Sequence, residues 1–396
     1  MAEPGTDEEE FVFTDEHRAL RTAVRRFCGA HRVRGPVELD GGYDARVWRR
    51  LSSELGVLGL AVPEPSGGGG GTLIDQAIAV EELGAALAAG PVVGTVLLAI
   101  PLLAAAPPHP ARDQLLARLC SGEATAATVL TGSPGGLEST PVDAIVAPDE
   151  DGWTLSAALG AVPDAGAADV LLVAVPTPEG TAVVAIDTDQ PGVERTPLVT
   201  LDLTRPQARV RLTDVFAHTI VEPPHADAAA RSALHTAGML LAAEQVGAGQ
   251  HLLDLTVDHA RTRRQFGRQI GSFQAVKHRL ADMLVAVEHA RSTAYHAAWA
   301  LATGSDDPAL AVSIAQATCS PALSRVAADT IQLHGGIGFT WEHQAHLYFK
   351  RAAADAALLG TTEAHRDRVA RVALDLASAD GAPPIADGLP HAAVRP

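Results

Sequence analysis

The sequence predicts an α+β fold that is mostly helical: an N-terminal helical domain, a central antiparallel β domain and a C-terminal helical bundle. Three observations carry that expectation. Apolar residues recur at helical spacing through the first third of the 396 residues. From about residue 126 they give way to short Val- and Ile-rich runs broken by Pro, Gly and Asp. From about residue 226 the helical period returns. The expected boundaries are 1–125, 126–225 and 226–379, the last a four-helix bundle, with a loose Pro/Gly/Ala-rich tail over 380–396.

Taken in order, Glu16 to Val33 reads as a helix with Leu20, Val24 and Phe27 on its apolar side. Ile74 to Leu87 reads as another, with Glu81 and Glu82 on the polar side. Between them, Gly67 to Gly71 lacks a following Gly-Lys-Ser/Thr and any GxGxxG frame, so it is expected to be a flexible loop, not a phosphate loop. Leu83 to Ala106 carries no charge, but Gly90-Pro91 and Pro101 interrupt it. A buried helix pair is expected there, and no integral membrane span. The runs Ala144–Ala147, Val170–Val175 and Ala182–Ile186 read as strands, and no helical pattern interrupts them, so the sheet is expected to be antiparallel. Farther on, Val276, Leu280, Leu284 and Val287 mark one helix face, with Ser272 placed to cap that helix.

Composition excludes several functions. The chain is 47% hydrophobic and 19% charged, which rules out a disordered polymer or a collagen-like repeat. Its net charge of −17 disfavours nucleic acid as a global partner. Cys28, Cys120 and Cys319 lie far apart with no CxxC pair, so neither a disulfide scaffold nor a zinc ribbon is expected. Packed thiols in a reducing, cytoplasmic setting are. The acidic opening MAEPGTDEEEF does not read as a secretory signal. Glu342-His343-x-x-His346 lacks the HExxH frame, so a plain surface helix is expected there and no metal site.

One segment inverts the sign of the chain. Arg261, Arg263, Arg264, Arg268, Lys277 and Arg279 fall within 19 positions that hold no acid. From the residues alone this is a solvated turn, a short nucleic-acid contact or a pyrophosphate site. Guanidinium groups beside exposed helix N-terminal amides suit the last best.

Here Arg263-Arg264-Gln265-Phe266-Gly267-Arg268-Gln269-Ile270-Gly271-Ser272-Phe273-Gln274-Ala275 closely resembles the RxxFG–FQA signature of acyl-CoA dehydrogenases. Gln332-Leu333-His334-Gly335-Gly336-Ile337-Gly338-Phe339 resembles that family's Gln-Ile/Leu-x-Gly-Gly-x-Gly-aromatic element. The resemblance implies an FAD enzyme that desaturates an acyl-CoA between its α and β carbons. A glutamate would take the α proton, and the β hydrogen would leave as hydride to the flavin. It also implies FAD lying across a subunit interface, with one subunit gripping the adenosine-pyrophosphate end of its neighbour's cofactor. By motif position that grip would be Arg263, Phe266, Phe273, Gln274, Gln332, Leu333, His334, Gly335 and Gly336, with Thr361 in the Gly-Thr element downstream.

The family's usual glutamate is missing. Counting from Gln332 places Leu359 at its position, and Ala237 occupies the alternate position used by some relatives. Asp355 and Glu363 stand four residues either side of Leu359, and Glu244 stands seven beyond Ala237. Each is a substitute base only if a turn of helix, about 5 Å, can be absorbed. Otherwise Asp355 and Glu363 would be solvated helical charges and Glu244 a satisfied interior or interface acid. The loop Leu130–Gly136 and the segment Ala161–Ala165 also depart from the family elements that cradle a subunit's own flavin ring. The resemblance is therefore to the glutamate-lacking partner in an α2β2 acyl-CoA dehydrogenase of the kind associated with bacterial steroid side-chain degradation, supplying FAD contacts in trans to a sister subunit. The chain alone is expected to be inactive. A homo-oligomer, a same-fold enzyme with hydroxylase or non-redox chemistry, and a flavin-free structural subunit are the alternatives.

Overall fold

The computed structural model describes residues 12–31, 43–133, 135–149 and 152–374, so the expected tail at 380–396 lies outside the described residues. The N-terminal region holds α1 (Asp15–His31), α2 (Ala45–Leu55), α3 (Leu73–Ala85), a π-helical stretch Val92–Ala99 running into α4 (Ile100–Ala105), and α5 (Pro110–Ser121). The Asp44 carboxylate accepts from the Arg46 amide at 2.8 Å to start α2, and Thr72 with Asp75 forms a capping box on α3. The uncharged stretch breaks around Gly90-Pro91 as expected, with every residue of Val92–Ala99 buried. No helix among the described residues is long and apolar enough to cross a membrane.

Two local expectations fail here. Glu81 and Glu82 are buried, not solvated. Arg21 reaches both at 2.9 and 3.0 Å, Arg25 reaches Glu82 at 2.8 Å, and Arg291 and the Tyr295 hydroxyl close on Glu81. Burial alone would raise the Glu81 pKa, but the Arg21 and Arg291 guanidinium groups outweigh it and hold it below the usual range. The glycine run, in turn, is a packed turn. Gly69, Gly70 and Gly71 donate to the carbonyls of Gly59, Val62 and Leu60 at 2.8–3.0 Å. A Cβ on Gly68 would stand 2.1 Å from the Val62 oxygen, so glycine is there for close approach.

The middle region is one seven-stranded sheet: β1 (Ala126–Val129), β2 (Ala144–Asp149), β3 (Gly152–Pro163), β4 (Val170–Thr177), β5 (Gly180–Asp187), β6 (Val193–Pro197) and β7 (Gln207–Val221). Its order is β1-β4-β5-β7-β3-β2, with β6 also on β7. Ala208, Val210, Leu212, Val215 and Ala217 of β7 point into a core of their own. The sheet is not wholly antiparallel, because β1 pairs parallel with β4, Ala126 opposite Val170. The chain sends the β2–β3 hairpin to the far edge before returning as β4, and such non-local pairing leaves no trace in the pattern of a strand.

The C-terminal region holds α6 (His225–Thr262), α7 (Gln274–Thr303), α8 (Pro308–His334), α9 (Ala345–Asp355) and α10 (Thr362–Ala373). At 38 residues α6 is about 57 Å long and runs against α3, α7 and α8. The buried face of α7 is Met283, Val287, Ala290 and Ala294, whereas Leu284 is 48% exposed. Two successive steps of four rotate about 80° around a helix, enough to carry Leu284 off the stripe that Val276 and Leu280 start. Ser272 does not cap α7: its hydroxyl donates to the Gln269 carbonyl at 2.6 Å, and Phe273 holds the cap position without a side-chain bond.

Candidate functional site

After α6 the chain forms a small hairpin, β8 (Arg264–Gln265) and β9 (Arg268–Gln269). Its two-residue turn, Phe266-Gly267, has both residues at positive φ (52° and 75°), the pattern of a type I′ turn. Phenylalanine is uncommon there, and this one is 92% exposed. It meets Phe273 edge-on at 6.3 Å, and the Arg268 guanidinium lies 4.0 Å over the Phe273 ring. Arg263, Arg264 and Arg268 are exposed, and among the described residues none is ion-paired; within the basic island only Arg279 has a carboxylate partner, Asp329 at 3.4 Å. Gln274 then opens α7, whose first amides have no side-chain cap.

The second motif closes α8. Gln332 is exposed. Gly335 sits at φ 66°, ψ −146°, a backbone region essentially reserved for glycine. A Cβ on Gly335 or Gly336 would meet nothing within 4 Å, so the turn faces open space. The other two motif residues face inward. Leu333 packs against the core shared by α6–α9, and His334 is buried, its Nδ1–H donating to the Thr330 carbonyl at 2.8 Å. The His334 ring lies between His259, at 4.2 Å, and His343, at 4.4 Å. Sequence reading missed this stack, because its members come from three elements and have no common spacing.

Leu359 lies in the non-helical link between α9 and α10, at φ 54°. Asp355 and Glu363 are therefore not one helical turn from it, which removes the premise for treating them as substitutes. Leu358 and Leu359 line a cavity of about 180 Å³ with the 131–136 loop, residues 158–163 of β3 and Leu234. Its only ionisable lining residue among those described is Asp143, which is exposed. The walls are clasped together: Gly360 N–H donates to Gly135 C=O at 2.9 Å, the His365 ring bonds the Leu359 carbonyl at 2.9 Å, and Arg368 pairs with Glu138. Thr361 caps α10, accepting from the Ala364 amide at 3.2 Å.

The other acids are placed just as clearly. Ala237 is fully buried and Glu363 is exposed. Asp355 is only 1% exposed, so it is not a solvated helical charge. It joins Glu244 and Asp202 around two buried arginines. Arg205 reaches Glu244 at 2.6 Å and Asp355 at 3.0 Å, while Arg351 reaches Asp202 at 2.6 Å and also Glu244. Three carboxyls face two guanidinium groups, an excess of negative charge that favours a proton on one of them. Burial pushes Asp355 up to about 7, whereas Arg205 and Arg351 overcome burial at Glu244 and hold it ionised. Neither acid lines the cavity.

Three further expectations concern side chains outside these sites. Cys28, Cys120 and Cys319 are buried thiols that desolvation pushes to about 12. Glu342 and His343 lie in a turn and His346 is buried at the start of α9, so this is not a surface helix. No group of three or more His, Cys, Asp or Glu side chains suited to a metal occurs among the described residues.

The two groups of residues thus occupy separate places. Guanidinium groups without a carboxylate partner among the described residues, open α7 amides and a glycine turn without steric cover are a donor set that fits a diphosphate. The cavity at Leu359 is only about 180 Å³, below the roughly 300–1,000 Å³ of pockets for drug-sized ligands, and among its described lining residues the one carboxylate is the exposed Asp143.

Known proteins agree with this architecture. Residues 14–123 match the acyl-CoA dehydrogenase N-terminal domain and residues 228–374 the acyl-CoA dehydrogenase C-terminal domain. The acyl-CoA dehydrogenase IpdE2 of Mycobacterium tuberculosis is 38% identical over 353 residues, covering 87% of this chain and 93% of that protein. Among solved structures, a chain of the ChsE4–ChsE5 complex from Mycobacterium tuberculosis aligns with a TM-score of 0.80 at 28% identity, covering 93% and 99%. A variant of the Tcur3481–Tcur3483 steroid acyl-CoA dehydrogenase aligns at 0.79 and 28%, covering 91% and 98%. With both flanking domains matched and a relative this close over most of its length, the chain belongs to the acyl-CoA dehydrogenase family of oxidoreductases.

Proposed function

We propose that this chain is the partner subunit of a two-polypeptide acyl-CoA dehydrogenase, gripping the adenosine-pyrophosphate end of an FAD whose flavin ring and catalytic glutamate belong to a sister subunit. The observation that carries this reading is the pairing of Leu359 with Arg263. Where a base would stand there is an apolar side chain over a small clasped cavity, and a proton cannot be taken by leucine. Where a neighbour's cofactor would be held, three arginines stand unpaired beside an open helix start and an open glycine turn. FAD, when bound, supplies the hydride acceptor for α,β-desaturation of the acyl-CoA.

This chain's own residues do the holding. Arg263 would neutralise the diphosphate by charge-assisted hydrogen bonds, with the amides at Gln274 and Ala275 adding donors. Gly335 and Gly336 let the cofactor approach the backbone, and Gln332 offers an amide beside them. Phe266, exposed on its turn, would seat against the sister subunit. A paired architecture is supported by relatives described as complexes of two polypeptides, and a bulky steroid-derived acyl-CoA by the steroid substrate class that one of them names. The absence of a long apolar helix among the described residues is consistent with work in the cytoplasm.

The test is co-expression with candidate sister subunits, followed by flavin absorbance and stoichiometry. The complex should retain FAD and turn over acyl-CoA. Substituting Arg263→Ala in the complex should weaken FAD by roughly 10- to 150-fold, the equivalent of about 1.5–3 kcal/mol.

A further inference from the structure

The stacked rings of His259, His334 and His343 belong to three elements, and each adjoins a part of the FAD grip. His259 is on the last turn of α6, and its carbonyl accepts from the Arg263 amide at 2.8 Å. His334 is the last residue of α8, two after Gln332 and one before Gly335. His343 is in the turn that leads into α9. Edge residues of the grip are exposed, but the ring between them is not: His334 is only 7% exposed and its Nδ1–H is committed to the Thr330 carbonyl. It cannot touch a cofactor, although it sits inside the motif that would.

We infer that His334 is a positioning residue, a wedge that sets the spacing between the Arg263 hairpin and the Gln332–Gly336 turn so that both reach one diphosphate. This rests on the function proposed above. A β8–β9 hairpin of two residue pairs cannot place itself; it needs a fixed base, and the ring stack joins the end of α6 to the end of α8. Aromatic rings in tilted and offset contact give direction as well as burial.

The device also makes the grip sensitive to acid. The groups facing the rings are Arg263, His334 and His343 around His259; the Thr330 carbonyl at His334; and His334 and His346 around His343, with Lys350 beside His346. Desolvation first, then the neighbouring rings and Arg263, push His259 down to about 4, and burial lowers His334 and His343 as well. The stack is thus neutral at pH 7. As pH falls from 6.5 toward 4, protons enter rings that face one another and Arg263, and repulsion opens the wedge.

The experiment uses the complex with its sister subunit and compares wild type with His334→Ala, His334→Phe and Arg263→Ala. It measures FAD affinity from pH 4 to pH 8 and hydrogen exchange over residues 263–273 and 335–344. His334→Ala should weaken FAD about tenfold at pH 7.5 and speed exchange in both segments. His334→Phe keeps an aromatic wedge and removes the central titratable ring, so it should restore affinity and exchange protection and lessen the acid decline, the remainder coming from His259 and His343. Unchanged exchange in His334→Ala overturns the wedge, whatever Arg263→Ala does. Faster exchange with FAD affinity unchanged in both alanine variants overturns the flavin seat itself, and with it the task assigned to the stack.

Discussion

The acids Asp355 and Glu244 are folded into a buried cluster with Arg205 and Arg351, while at the first motif Arg263, Arg264 and Arg268 stand in solvent without an ion partner among the described residues. One region sets its charges against one another inside the protein; the other leaves them facing solvent. The backbone repeats the contrast. Leu359 and Gly360 are held by Gly135 and His365, whereas Gly335 and Gly336 face open space. A subunit that desaturated its own substrate would need the opposite allocation, with a free carboxylate at the cavity. On the proposed function, the difference teaches that a subunit without a base can still keep the residues for gripping a cofactor, because the two tasks lie in different places.

The largest effect should come from opening the internally satisfied region. Arg351→Ala leaves Asp202 and Glu244 buried without their shared cation and should cost about 3–5 kcal/mol, read as a large fall in Tm. If stability is unchanged, the cluster is not the staple joining the sheet to α6 and α9. Next comes Leu359→Glu, which restores only the charge of a base. In the isolated chain it should yield no acyl-CoA oxidation and should lower stability by about 1–3 kcal/mol, since nothing ionisable in the cavity pairs with it. Turnover by that variant would mean the cavity is a competent site missing one side chain. Phe266→Ala should shift stability by less than about 0.5 kcal/mol, because the ring is exposed, yet measurably weaken association with the sister subunit. A variant that associates normally would place the hairpin outside the interface.

A further effect is a pH slope. Asp355 keeps its proton to about 7 in the folded chain but releases it near 4 when unfolded. The folded state therefore binds more protons between those values, and stability falls as pH rises through that window. Asp355→Asn should flatten the slope and raise Tm at pH 8 by about 2–4 °C. A steeper slope would show that Asp355 is ionised in the cluster.

What the sequence disclosed was whatever its local spacing encodes. The helical–β–helical order, the break at Gly90-Pro91 and the two motif segments could all be read because each depends on neighbours within a few residues. The parallel β1–β4 pair could not, since its partners are 44 residues apart and separated by a hairpin. Nor could the burial of Glu81, Glu82 and Asp355: a carboxylate reads as solvated until a guanidinium from another element is seen to cover it. Leu284 groups with Val276, Leu280 and Val287 in the sequence because an i+4 pattern ignores the drift of a 3.6-residue turn, yet it is exposed. At the candidate site, Arg263, Phe266, Gln332, Gly335 and Gly336 stand exposed, but Leu333 and His334 turn inward, an orientation that depends on where α8 ends.

The most direct measurement is an FAD titration of the purified chain, alone and then with its sister subunit, followed by an acyl-CoA oxidation assay on each. Alone, the chain should hold no stoichiometric flavin and oxidise nothing; with the sister, flavin should be retained and the reaction should proceed. An isolated chain that keeps one flavin per polypeptide and oxidises an acyl-CoA would contradict the account.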